Sequence, residues 1–435
     1  MRTVPLSALV TLAIVSCGCN REPGGMDDAD ASSDGSATSG EDCGNGQLDP
    51  GELCDDGDDK EGNGCNPDCR RSATLLGEHL LDLEGDGRAV AVVASGSNVW
   101  VGGSFSRAGA DHRPFLARLD SRLRDVSTWV ELTDIDALGP GEVDGLLALP
   151  DGVVIATGIS AVAAGGQRWV ARFDASGERS WLVPMVPMVP GDWRSPNVRF
   201  PHLALRAAGT VEVWGSGSRD RIVGVELGVD DGQIRSSYMS PELAGYYYDA
   251  SVDSDGRGFA LASYIGDAGT QVPKLLSVSM EAGITELSTQ IPAGFHAFAG
   301  SMDGPPWLVG TVRADDGIIH PAIARIMGDG TLGAVEVLTT DVDDREVHTY
   351  PSDALVFPDG DLGISANFDL YQTQVFRVSR FTPRGERLWD RTPGRGEPRG
   401  IAFALSRADD GDVVAAGQLA DASGDAKPYV VRFTP

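Results

Sequence analysis

A chain of 435 residues carries 35 Lys and Arg against 64 Asp and Glu, a formal net charge of −29. Such an acidic surface repels nucleic acid and anionic lipid headgroups, which excludes nucleic acid as a partner and favours basic or neutral partners and cations. With 56 Gly and 25 Pro and no four clean helical turns, the chain is turn-rich rather than helical, and it is long enough for a large core.

In chain order, Arg2 is followed by an apolar run from Val4 to Val15, interrupted by Pro5, Ser7 and Thr11. The run is too short to span a bilayer, which takes about 20 apolar residues. It suits the apolar region of a signal peptide, about 7–15 residues long. It ends in Ile14-Val15-Ser16-Cys17, which resembles the lipobox of bacterial lipoproteins. The resemblance implies removal of residues 1–16 and attachment of a diacylglycerol to the Cys17 thiol. The alternative is an ordinary signal peptide cleaved nearby. Gly18 stands where Asp often retains such lipoproteins in the inner membrane, so the expected location is the outer membrane or cell surface. The lipid would then be the membrane anchor.

Residues 17–42 form the next segment. From Asn20 to Asp42 it is mostly Gly, Ser, Ala and Asp, with one Met. Such a segment cannot bury enough surface to offset its ordering entropy, which predicts a disordered linker. Residues 43–70 hold Cys43, Cys54, Cys65 and Cys69. In an exported chain this clustering predicts disulfides, with three pairings open. The blocks Cys43-Gly-Asn-Gly, Gly51-Glu-Leu-Cys54-Asp-Asp-Gly and Gly64-Cys65-Asn-Pro-Asp-Cys69 resemble the myxococcal-type cysteine-rich repeat, which implies a short module without activity of its own. Asp55, Asp56, Asp58 and Asp59 are crowded enough to ligate Ca2+ through oxygen. A solvated acidic loop is the competing reading, because the spacing departs from that of an EF-hand.

Residues 72–435 repeat at about 50 residues. A turn glycine between two apolar runs recurs at Gly96, Gly152, Gly209, Gly256, Gly304, Gly360 and Gly411. Six positions after each stands Gly or Ala, namely Gly102, Gly158, Gly215, Ala262, Gly310, Ala366 and Gly417. Close approach of neighbouring sheets would explain the small residue. Each unit continues with a third run, which in five units ends in Arg118-Leu119, Arg172-Phe173, Arg325-Ile326, Arg380-Phe381 or Arg432-Phe433, and in all but the last unit a fourth run follows. The repeat predicts an all-β chain, with four-stranded antiparallel blades in a seven-bladed β-propeller. Unit two, with Pro150-Asp151-Gly152 and Val170-Ala171-Arg172-Phe173, also resembles the delta-60 repeat, which supports the fold and implies no active site. The last unit stops after its third run, so Glu78–Leu83 is expected to supply the missing strand and close the ring.

Six scattered histidines, no HExxH and no strand-turn-helix GxSxG leave no compact catalytic motif. In a propeller the innermost strands begin at one rim of the channel. The residues expected just before them are Asp144, His202, Asp249, His296, Asp353 and Arg399. Tyr246, Tyr247 and Tyr248 are read as a loop cluster able to stack on a ligand. The expected function is a non-enzymatic surface scaffold that binds a protein or glycan through its rim. The alternatives are a glycan hydrolase or lyase using rim carboxylates, and a structural part of an envelope assembly.

Overall fold

The computed structural model describes residues 44–47, 54–58, 64–66 and 69–435, the last stretch without 84, 107–111, 125, 133–140, 163–164, 186–201, 207–208, 218–220, 241–244, 253–256, 266–270, 289–290, 293, 301–305, 314–316, 339–347, 371–372, 393–399 and 422–423. Among the described residues there are 28 β-strands, numbered β1 to β28 in chain order, and one 3-10 turn at Pro150–Gly152. The strands form antiparallel meanders of four. An eight-stranded sheet is two such meanders, joined where β18 (Phe295–Gly300) runs parallel to β22 (His348–Val356) at Ala299–Ala354 and Gly300–Leu355.

The remaining innermost strands are β2 (Gly87–Ser95), β6 (Gly141–Ala148), β10 (His202–Arg206), β14 (Gly245–Val252) and β26 (Gly400–Arg407). Taken in chain order with β18 and β22, each packs on the next, and β26 returns to β2. The apolar side chains follow the same circuit, because each buried cluster joins two consecutive meanders. Trp100 and Leu116 meet Val143 and Phe173, for example, and Val99 and Phe115 of the first meander meet Ala404 and Val430 of the last. Middle strands are thus covered on both faces and read as unbroken apolar runs. In β27 (Val413–Ala420) the first five residues are all buried. Outermost strands keep an alternating, half-exposed pattern, as in β13 (Ile234–Met239).

Five of the seven turn glycines lie among the described residues, and all five have positive φ: 57° at Gly96, 74° at Gly152, 72° at Gly209, 91° at Gly360 and 92° at Gly411. Glycine tolerates this conformation without a steric penalty. The small residue six positions on has a cause beyond the expected one. Six innermost strands carry one extra, bulged residue: Val90, Asp144, Tyr248, His296, Ser352 and Phe403. In five of them the small residue faces the position just before the bulge. The pairs are Val143–Gly158, Tyr247–Ala262, Phe295–Gly310, Pro351–Ala366 and Ala402–Gly417. Beside the bulge an inner-strand carbonyl presses across the gap. A Cβ on Gly158 would lie 2.4 Å from the Glu142 oxygen, one on Gly310 2.5 Å from that of Gly294, and one on Gly417 2.0 Å from that of Ile401. Contact between neighbouring sheets operates at Gly102, whose Cβ would lie 2.4 Å from Val143. Gly417→Val is therefore expected to cost about 3 kcal/mol or more in urea unfolding, because backbone cannot yield as a flexible side chain can. Gly328→Ala, at a position with nothing within 4 Å, serves as the near-neutral control.

The third-strand arginines of the last two meanders fold back onto their own first turns. Arg380 places Nε 3.1 Å from Asp361 and a second nitrogen on Asp359, and Arg432 places Nε 2.8 Å from Asp412 and a second nitrogen on Asp410. The arginine and the second aspartate of the Asp-Gly-Asp turn are buried together, while the first aspartate stays exposed. Arg118 and Arg325 lie instead over the Trp100 and Trp307 rings, at 5.8 and 5.9 Å.

The last meander is completed by the chain's first strand. β1 (Leu75–Leu80) pairs antiparallel with β28 (Ala426–Phe433) through Glu78–Val431, His79–Val430 and Leu80–Tyr429. The strand thus begins three residues before the expected Glu78–Leu83 and ends earlier. Leu81 donates its N–H to Pro428 at 2.9 Å and turns its side chain into the core, which takes the chain out of the sheet. The preceding cysteine-rich stretch docks on this seam. Ala73 and Thr74 bond to Thr434 at 3.2 and 2.7 Å, and Arg70 reaches Asp412 at 3.4 Å. Cys54 and Cys65 are joined by a disulfide, and Cys69 is disulfide-bonded too. Cys17, the signal segment, the linker and Cys43 lie outside the described residues.

Candidate functional site in the central channel

Six innermost strands surround a cavity of about 200 Å³ lined by Val90, Val92, Leu146, Ala297, Phe403 and Leu405 among its apolar walls, and by Asp144, Asp249, His296, Ser352 and Asp353 among its polar ones. Four of the nine residues singled out from the sequence as binding candidates thus meet in one place. Their position in the strands differs from expectation. Asp144, Asp249, His296 and Asp353 lie inside the innermost strands, at or next to the bulges, rather than before the strands begin. A bulge resets the two-residue alternation, so a reading by pattern starts each strand at the reset and misses its first residues. Five of the bulged residues, Val90, Asp144, His296, Ser352 and Phe403, line the cavity.

Tyr246, Tyr247 and Tyr248 are corrected in the same way. They belong to β14 and not to a loop: Tyr246 pairs with Ser263 and Tyr247 with Ala262. Aromatic residues suit a pleated strand, and the three in a row hid its alternation. His202 is the first residue of β10. The side chains of His202 and the three tyrosines, and all of Arg399, lie outside the described residues.

The polar wall is extensively hydrogen-bonded. Asp144, buried, receives Arg168 at 2.8 Å and the Thr157 hydroxyl at 3.1 Å. Asp249 accepts the N–H of Ala250 and, from the next meander, that of Phe298, each at 2.8 Å. Asp353 repeats this geometry, accepting Ala354 N–H at 2.8 Å and Leu405 N–H of the next meander at 2.7 Å. His296 faces two carbonyls, Gly294 at 2.8 Å and Pro351 of the next meander at 2.9 Å. No sequence pattern could reveal these latches, because each joins residues about 50 positions apart.

Desolvation pushes the Asp353 carboxyl up to about 7, against the pull of its two N–H donors. Desolvation likewise raises Asp361 to about 6, opposed by Arg380. A carboxyl whose folded value exceeds its unfolded value of 3.8 binds more protons when folded. Its contribution is greatest below that value and is lost as the pH rises toward the folded value. For Asp353 the loss is at most about 4 kcal/mol. The opposite sign holds for Asp174, Glu226 and Asp329, lowered chiefly by Ser176, Ser236 and Thr331, whose stabilisation disappears only below about pH 4. Urea midpoints are thus expected to fall between pH 4.5 and 7.5, with a shallower slope in Asp353→Asn; an unchanged slope in that variant would refute the assignment.

The acidic loop of the cysteine-rich stretch uses its carboxylates on backbone. Asp55 accepts Gly57 N–H at 2.8 Å and Gly46 N–H at 3.0 Å, and Asp56 accepts Cys65 N–H at 2.9 Å. Asp58 donates its N–H toward Asp56, and Asp59 lies outside the described residues. Among the described residues no group of three or more His, Cys, Asp or Glu is placed to hold a metal ion.

No protein-family model and no curated protein matches the chain. Solved structures do. The periplasmic gluconolactonase PpgL of Pseudomonas aeruginosa is similar at 14% identity with a TM-score of 0.50, covering 77% of this chain and 98% of that one. The β-propeller domain of the trilobed protease of Pyrococcus furiosus is similar at 10% identity with a TM-score of 0.46, covering 80% and 95%. Polysaccharide lyase Uly1 is similar at 11% identity with a TM-score of 0.47, covering 84% and 92%. At these identities the likeness concerns the fold alone; the circuit of four-stranded meanders described above is itself the architecture of a β-propeller.

Proposed function

We propose that this chain is an exported lipoprotein, anchored through Cys17, that presents a closed seven-bladed propeller as a binding scaffold for a protein or glycan. The observation supporting the binding reading is the channel cavity. Residues from six innermost strands converge there, while Asp144, Asp249, His296 and Asp353 have polar atoms engaged by neighbouring arginine, hydroxyl or backbone groups. That arrangement holds a rigid, preorganised wall, which favours recognition. The full chain in detergent micelles, screened on glycan and protein arrays, is expected to give hits that Ser352→Trp abolishes by filling the cavity. Hits insensitive to that change would move the site elsewhere. Labelling of cells with an alkynyl palmitate is expected to mark the chain and to spare Cys17→Ser.

A second reading is hydrolysis or lysis of a glycan or sugar lactone. The observation favouring it is Asp353, a cavity carboxyl raised to about 7 and so able to exchange a proton near neutral pH. Turnover of such substrates by the full chain, lost in Asp353→Asn, would select it over binding alone.

A further inference from the structure

His296 sits at the bulge of β18, where Nδ1 lies 2.8 Å from the carbonyl of Gly294 and Nε2 lies 2.9 Å from the carbonyl of Pro351 in β22. Both ring nitrogens therefore face acceptors. A neutral imidazole has one N–H, so one nitrogen would set its lone pair against a carbonyl oxygen; only the doubly protonated ring donates to both. We propose that His296 is a fixed imidazolium, a proton-dependent latch between the two meanders that begin with β18 and β22. The ionisable groups on the same cavity wall are Asp249 from β14, Asp353 from β22, whose carboxyl desolvation raises to about 7, and Asp144, which is paired with Arg168 of the second meander. On β19 (Trp307–Arg313), which pairs with β18, Arg313 is exposed and bonded to Gly317.

The latch is one link in a series. Asp249 ties β14 to β18 through Phe298 N–H, His296 ties β18 to β22, and Asp353 ties β22 to β26 through Leu405 N–H. Loss of the His296 proton leaves one N–H for two carbonyls, so that at either Pro351 or Gly294 an attraction is replaced by a repulsion. The channel wall is then loosened as the pH rises, on the side where the cavity is lined.

The test is the titration of the six histidine Cε1–H signals in the full chain labelled with 13C-histidine, from pH 5 to 9, with His296→Gln identifying its signal. The expected midpoint for His296 lies at least about one pH unit above the ordinary value of about 6.5. The urea midpoint is expected to fall between pH 7 and 9 in the unaltered chain and to stay level in His296→Gln. A His296 midpoint at or below about 6.5 overturns the proposal, since the ring would then be neutral with one carbonyl unserved. Should His296→Gln fail to fold, substitution of His79, His112, His202, His320 and His348 in turn assigns the remaining signal by elimination.

Discussion

Deleting residues 72–84 is expected to lower the thermal unfolding midpoint by roughly 10 °C or more, the largest effect of any change considered for this chain. The segment supplies β1, whose pairing with β28 completes the last meander. It also buries Ala73 and Leu81 at 2% exposure each. Burial of Leu81 alone is worth about 2 kcal/mol. The hydrogen bond from the Tyr429 hydroxyl to Glu78, 2.6 Å long, adds about 1.5–3 kcal/mol, because its acceptor is charged. Without β1, β28 becomes an open edge, and such edges invite association. Calorimetry and light scattering of the deleted chain check both effects. An unchanged midpoint would mean that the ring is held by its apolar clusters alone.

Arg432→Met is expected to cost about 3–5 kcal/mol, as a broken buried ion pair does when one charge is left behind. Arg432 binds Asp412 through Nε at 2.8 Å, reaches Asp410, and donates to the Ser121 carbonyl of the first meander. Asp412 is 1% exposed, and burial already raises its carboxyl against the pull of Arg432. With the arginine gone, Arg70, 3.4 Å away, is the cation left beside it among the described residues. The deficit is therefore expected to shrink in acid, where Asp412 takes up a proton. Arg432→Met combined with Asp412→Leu is expected to recover much of the loss, because an apolar pair of similar volume can replace a buried ion pair. A double variant no better than the single one would show that the Ser121 contact across the seam, and not the ion pair, carries the effect.

Much of the ring was legible in the residues. The recurring turn glycines and the small residue six positions on are local requirements, and local requirements repeat with the chain. The partner of the last meander's edge was legible for a similar reason: the apolar alternation of Glu78–Leu83 lies ahead of the first unit and has no partner within it. The docking of Arg70–Thr74 against Thr434 and Asp412 was not legible, since it depends on the meeting of two segments more than 300 residues apart. The arginine at the end of five of the third runs was visible as a pattern, yet its meaning was not. At Arg380 and Arg432 it serves an acidic turn about 20 residues earlier, and at Arg118 and Arg325 a tryptophan ring.

The candidate site divides along the same line. Composition and repeat period alone determined an all-β chain of short antiparallel meanders, because turn chemistry and apolar runs act over a few residues. They also pointed to Asp144, Asp249, His296 and Asp353 as residues near the start of units two, four, five and six. Only the tertiary structure decided that these four share a cavity. It alone showed that the bulged Val90, Asp144, His296, Ser352 and Phe403 line that cavity, and that Asp249, His296 and Asp353 each tie their own meander to the next. A bulge is set by the strand it faces, and a latch by a carbonyl or N–H about 50 residues away. Neither leaves a mark on the local pattern, so closing the ring was needed to create them.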